Sequence, residues 1–285
     1  MFRFQRNDRL LLWSLRGCAA LAGAILLLIV LFLVAESLPA LRHVGLARFF
    51  TDEKWGPTEG LYNLTPMLWG TLYAMTGAVL IATPLGILSA VFCHYYAPPV
   101  IARMYRRLIE MLAGIPSVVY GFWGLVSLVP LIARIHHPGT SLLAGILVLT
   151  IMILPTIALM ADAALASVPQ QLLRGAAALG LSRWATIRGV VFPAAKSGLF
   201  TGVILETGRA IGETMAVLMV CGNVVETPHS PFDPIRTLTA NIALEMSFAL
   251  GNHRSALFVS GLMLMAMIVV LAIAAEIISK ERIYG

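Results

Sequence analysis

Within an otherwise apolar stretch at about residues 197–222, three side chains carry charge: Glu206, Arg209 and Glu213. A charge at the centre of a membrane span costs at least ~2.5–3.5 kcal/mol on insertion scales, so each must be compensated or used. Arg209 and Glu213 are four apart, share one face of a helix and can pair along it. Glu206, three before Arg209, falls on the same side. Two readings follow. The pair is either a neutralised device that fixes helix packing, or a polar constriction on the path of an anion. In the second reading the arginine fork suits phosphate or sulfate, and a neighbouring carboxylate holds it when no anion is there. Gly198, Gly202, Gly208 and Gly212 give the same helix small surfaces for a close neighbour.

A second constellation lies between apolar runs, in a loop at 162–196. Val168-Pro169 opens a helical stretch, since proline suits a first turn. Leu172, Leu173, Ala176, Leu179 and Gly180 follow at spacings of three and four, leaving Arg174, Arg183 and Arg188 wet. Taken alone, this is an interfacial helix that anchors the next span. In Gly114-Ile115-Pro116-Ser117, the proline removes a backbone donor and disfavours helix at Ile115. A kink there serves packing or frees carbonyls near a path that Ser117 and Tyr120 line. The pairs His136-His137 and Cys93-His94 lack third and fourth ligands, so no metal site is expected. Lys196-Ser197 has Ala195 and Val190 where a phosphate loop needs glycines, so the chain itself is expected to bind no ATP.

The elements that must position these residues are set by composition. Of 285 residues, 59% are hydrophobic and only 12% charged, against ~45–50% and about 25% in soluble domains. A soluble enzyme, a disordered tail, a coiled coil and a disulfide scaffold all fit poorly. Runs near the roughly 20 residues of a crossing lie at 17–35, 66–93, 108–131, 139–161, 197–222 and 255–278, which predicts an all-α membrane protein of about six spans. With a cytoplasmic N-terminus, thirteen of the twenty lysines and arginines fall inside, as the positive-inside rule expects. Both termini are then cytoplasmic, and the Trp55 and Phe232 loops lie outside. Two segments are expected: 1–65, holding the first span and an outer loop, and 66–285, holding five spans and the 162–196 loop.

Arg174-Gly175-Ala176, with Gly180 and then Val190-Val191-Phe192-Pro193, resembles the cytoplasmic coupling loop of ATP-binding-cassette (ABC) importer permeases. That family carries glutamate and alanine where this chain has Arg174 and Gly175. Gly208-Arg209-Ala210-Ile211-Gly212-Glu213-Thr214-Met215-Ala216-Val217 narrows the likeness to PstC-type permease subunits of the phosphate-specific importers. Gly114-Ile115-Pro116-Ser117, Trp55-Gly56-Pro57 and Met152-Ile153-Leu154-Pro155-Thr156 extend it from about 49 to 258. The resemblance implies a MetI-like fold in a bacterial inner membrane and a path that includes Arg209, Glu213, Pro116 and Ser117. It also implies a coupling surface at Arg174, Gly175, Ala176, Gly180 and Pro193. The implied partners are a PstA-like second permease, a PstB-like dimer that hydrolyses ATP with Mg, and a PstS-like periplasmic phosphate-binding protein. Glu206 stands where that signature is small or apolar, so the resemblance gives it no role. The alternatives are a gradient-driven anion transporter and a permease for another oxyanion.

Orientation is directly testable. On a background without Cys18, Cys93 and Cys221, an impermeant thiol reagent added outside is expected to label Phe232→Cys and to leave Arg183→Cys untouched. The reverse pattern would invert the topology.

Overall fold

The computed structural model describes residues 6–281, with side chains over 11–274. From the N-terminus, α1 (Arg6–His43) and a one-turn α2 (Arg48–Thr51) lead to a small hairpin, β1 (Trp55–Gly56) antiparallel to β2 (Leu61–Tyr62). Next come α3 (Thr65–Val91), α4 (Pro99–Ala113), α5 (Ser117–Trp123), α6 (Val129–Ala133) and α7 (Leu142–Ala166). The C-terminal half holds α8 (Gln170–Ala178), α9 (Arg183–Thr186), α10 (Phe192–Gly212), α11 (Met215–Val220), α12 (Leu238–Glu245) and α13 (Gly251–Glu281). Among the described residues, five helical stretches are long and apolar enough to cross a membrane: α1, α3, α7, α9 through α10, and α13.

The sixth expected span, 108–131, is not a straight helix. α4 and the α5–α6 stretch meet at 91° across Gly114-Ile115-Pro116, a bend far sharper than a kink. Tyr120 closes the corner by donating its hydroxyl to the Leu112 carbonyl at 2.8 Å. α4 buries Ala102 and Ile109 and exposes Arg103 and Arg107, so it reads as an amphipathic arm rather than half of a buried span.

α7 is the central helix. Its neighbours come close because they are small where they meet it: a Cβ on Gly77 would fall 2.6 Å from Ile146 Cδ1, and one on Gly86 would fall 2.7 Å from Ile157 Cγ2. Gly198 and Gly202 do the same for α10 against Ala164 and Met160, whereas Gly208 and Gly212 face open space. The expectation of close approach along the whole glycine row therefore holds for its first half only. α1 packs along α13, with Phe32 and Phe258 edge to face at 5.6 Å. Outside this bundle, Phe49, Trp55, Tyr62 and Leu64 share a core with Leu238, Ala256 and Leu257. Glu245 ties that core together: it accepts from Arg236 at 2.7 Å and from Trp55 Nε1 at 2.9 Å, and bonds His253 Nε2 at 2.8 Å.

Among the described residues three π-helical turns occur: Phe92–Tyr96 ends α3, while Gly124–Leu128 and Ile187–Val191 interrupt continuing helix. Each closes on the residue just before a proline: Ala97, Val129 and Phe192 donate to the carbonyl five residues back, and Pro98, Pro130 and Pro193 follow. A proline ring collides with the carbonyl four residues back and supplies no donor, and one extra residue in the turn relieves both problems. Pro84 and Pro155 lie within regular helix, so proline permits the wide turn without requiring it.

The α3–α7 contact supplies a stability test. Gly86→Leu overfills a packed seam, which costs about 1–3 kcal/mol, while Gly23→Leu on the lipid-facing side of α1 meets nothing within 4 Å. The first variant is expected to lower the thermal midpoint of the detergent-solubilised protein, and the second to leave it unchanged.

Candidate functional site

α10 does not continue through Glu213. It ends at Gly212, and Glu213 takes an extended backbone with ψ of 129° before the chain re-enters helix in α11. The Glu213 carboxylate turns forward, where its Oε1 accepts the Ala216 N–H at 3.1 Å. That satisfies one of the orphan donors at the start of α11. The Thr239 hydroxyl donates to the Glu213 carbonyl at 2.8 Å and pins the break from the α12 side. The expected Arg209–Glu213 pair is therefore absent, because their four-residue spacing becomes a shared face only on an unbroken helix.

Arg209 pairs backwards instead. Its Nη1 donates to Thr156 Oγ1 of α7 at 3.2 Å and stands 3.6 Å from Glu206 Oε2. Glu206 is 6% exposed, whereas the Arg209 side chain is 35% exposed. The guanidinium thus has a buried side, held by Thr156 and the Glu206 charge, and an open side. Sequence reasoning left Glu206 without a role, and Thr156 entered only within a motif. The signal for Glu206 was its i, i+3 spacing to Arg209, and that spacing survives because it lies wholly within α10. Five donors on a guanidinium cannot all be spent on one hydroxyl and one distant carboxylate, so the open side is a ready anion contact.

Pro116 caps α5 with φ −59° and ψ 140°, and Ser117 is half-buried at the first turn beyond the bend. Neither side chain is among the partners of Arg209. α5 packs on α11, where a Cβ on Gly121 would sit 2.8 Å from Ala216 Cα. The two interrupted helices thus support each other.

The loop beyond α7 forms the expected amphipathic helix, α8, but of the expected apolar face Ala176 is buried and Leu173 half-buried, while Leu172 is exposed. Its end is a Schellman turn: Leu181 N–H reaches the Ala176 carbonyl at 3.1 Å, and Gly180 N–H reaches that of Ala177 at 3.0 Å. Gly180 has φ +68°, a conformation that favours glycine, and nothing lies within 4 Å of its would-be Cβ. Its backbone demands glycine, whether or not a partner approaches. Arg174 and Gly175 are exposed, as are Leu179 at 79% and Trp184 at 58%. The sequence reading missed the exposure of these two side chains, since Leu179 counted there as part of the helix's apolar face. Pro193 lies in the first turn of α10, directly after a π-turn. On the same side of the bundle, Asp162 at the end of α7 accepts two bonds from Arg106, at 2.9 and 3.0 Å, and meets His94 Nδ1 at 3.3 Å. Asp162 is thus a bridge from α7 to α4 rather than a free helix-end charge.

Residues 82–283 match the family described as binding-protein-dependent transport system inner membrane component. A probable ABC transporter permease, YqgH of Bacillus subtilis, is 41% identical over 93% of this chain and 89% of its own length. The phosphate transport system permease proteins PstC of Mesorhizobium japonicum and Haemophilus influenzae are each 34% identical, over 98% and 86% of this chain and 92% and 84% of their own lengths. Among solved structures, a bacterial ABC transporter involved in alginate import aligns with a TM-score of 0.65 at 13% identity, covering 95% of this chain and 98% of that one. The MetNI methionine transporter aligns at 0.59 and 21%, covering 77% and 94%. These two show the fold alone, while the family match and the relatives above 30% identity go further: the chain belongs to the binding-protein-dependent transport system inner membrane components, as a multi-pass permease of ABC transporter type.

Proposed function

We propose that this chain is one of two permease subunits of an ATP-driven importer of inorganic phosphate, and that it catalyses no reaction itself. The observation that carries the reading is the Arg209 guanidinium, which is anchored at its back within an apolar helix bundle and unspent at its front. Near full-length likeness to proteins named as phosphate permeases supports it. With about six spans, one such chain is short of the walls needed for a closed path, so a second, PstA-like permease is expected to complete it. ATP and Mg belong to a PstB-like dimer that docks on α8 and the exposed Leu179 and Trp184. Phosphate arrives on a PstS-like binding protein outside. Both termini then lie in the cytoplasm.

In this reading the anion exchanges its water for the outward donors of Arg209. Pro116 and Ser117 sit at the bend that starts α5 and shape the wall beside it, and Glu213 holds the α10–α11 break open. On the cytoplasmic side, Arg174 and Gly175 belong to the outer face of α8. Ala176 seats that helix and Gly180 turns the chain out of it. The gradient-driven alternative has no need of that surface.

Two measurements test the proposal. Replacing Arg209 with Met and Glu206 with Leu removes both charges together, which buried pairs often tolerate. The complex is expected to assemble normally, with phosphate uptake abolished, while Arg209→Lys keeps the charge, loses the fork and falls by about 10–100-fold. Near-normal uptake in the double variant would make the pair a packing device. Separately, Leu179→Asp is expected to abolish co-purification of the ATPase without lowering membrane abundance, since its side chain touches solvent rather than the bundle.

A further inference from the structure

We infer that Glu206 is a positioning residue of the path: it offsets the charge of Arg209 from behind, and so sets how firmly a passing oxyanion is held. The inference rests on Arg209 being the anion contact and goes beyond it, because the resemblance that points to Arg209 gives Glu206 no role. The first support is geometric. Glu206 is more than nine-tenths buried, and among the described residues its Oε2 makes no hydrogen bond. A buried carboxylate oxygen left in that state is costly, so packing alone gives no reason to keep it.

The second support is the form of the pair. An arginine–carboxylate bridge built for stability closes to about 2.7–2.9 Å, often with two parallel bonds. Arg106 and Asp162 do so in this same protein, at 2.9 and 3.0 Å. Glu206 and Arg209 stop at 3.6 Å, too far for a hydrogen bond, and Thr156 takes the intervening donor instead. The carboxylate therefore acts on the guanidinium through charge without occupying its donors. Glu213, the other acid nearby in sequence, is committed to the Ala216 N–H. An oxyanion on the open side meets all the free donors of Arg209 but only part of its net attraction, which favours passage over capture.

The test measures retention of radiolabelled inorganic phosphate on the purified complex of this chain, its permease partner and the ATPase, without binding protein, normalised to assembled complex. Glu206→Gln keeps size and removes the charge. It is expected to retain phosphate at about tenfold lower concentration than the wild type and to turn over more slowly in vesicles. Glu206→Asp keeps the charge and is expected to retain phosphate as the wild type does, so a gain in Glu206→Gln alone separates charge from packing. Adding Arg209→Ala to Glu206→Gln should erase the gain, and persistence of the gain would show the anion to be held elsewhere, overturning the reading of Arg209 as well. Unchanged retention in Glu206→Gln, with uptake still lost in Arg209→Ala, would overturn the role of Glu206 and leave that of Arg209 standing.

Discussion

Close packing of α7 against its neighbours is the condition on which the other features rest. Glycines on α3 and α10 let that helix approach until no Cβ would fit, and its polar side chains then reach across the seams. Thr150 Oγ1 lies 3.5 Å from the Ala78 carbonyl of α3, Thr156 meets Arg209 of α10, and Asp162 meets Arg106 of α4. Along one helix, three heights in the bundle are joined in this way. Hydrophobic burial cannot hold spans together in lipid, so van der Waals contact and a few such bonds must do it. Placing Arg209 is therefore a consequence of small residues far from it in sequence.

The two interruptions in the bundle solve related problems. At Gly114-Ile115-Pro116 the chain turns through a right angle, and both the Ile115 N–H and the Tyr120 hydroxyl donate to the Leu112 carbonyl across the bend. At Gly212-Glu213-Thr214 the helix breaks again, and a carboxylate covers an amide on the far side. Irregular backbone at membrane depth survives only when it is paired within the protein or lines a wet cavity. α5 and α11, the short helices that leave these breaks, pack on each other where Gly121 meets Ala216.

Much of this arrangement is legible in the amino-acid order, and the failures have physical causes. Apolar runs locate the spans because hydrocarbon thickness sets their length, and Gly180 announces a helix end because a left-handed residue is cheapest as glycine. Pro116 was read as a kink, since hydropathy reports that a segment is apolar but not that it changes direction. The Arg209–Glu213 pairing assumed helix continuity that Gly212 and the capping acid Glu213 deny. Glu206 was set aside because the resemblance offered it no part, although its spacing to Arg209 was the sounder guide. The exposure of Leu179 and Trp184 follows from the turn at Gly180, which a face-by-face count of α8 does not include.

The π-turn before Pro193 bears on direction rather than on stability. An α-helix turns about 100° per residue, so one additional residue between 187 and 191 rotates everything beyond it by about that angle relative to an uninterrupted helix. Arg209 lies about five turns beyond, on the same 30-residue helical stretch that begins at Arg183 beside α8. The azimuth at which its guanidinium emerges, relative to the exposed surface of the 162–196 loop, is thus fixed by a single surplus peptide. Two permease chains with the same side-chain pattern but differing in that one residue would aim their arginines at different walls.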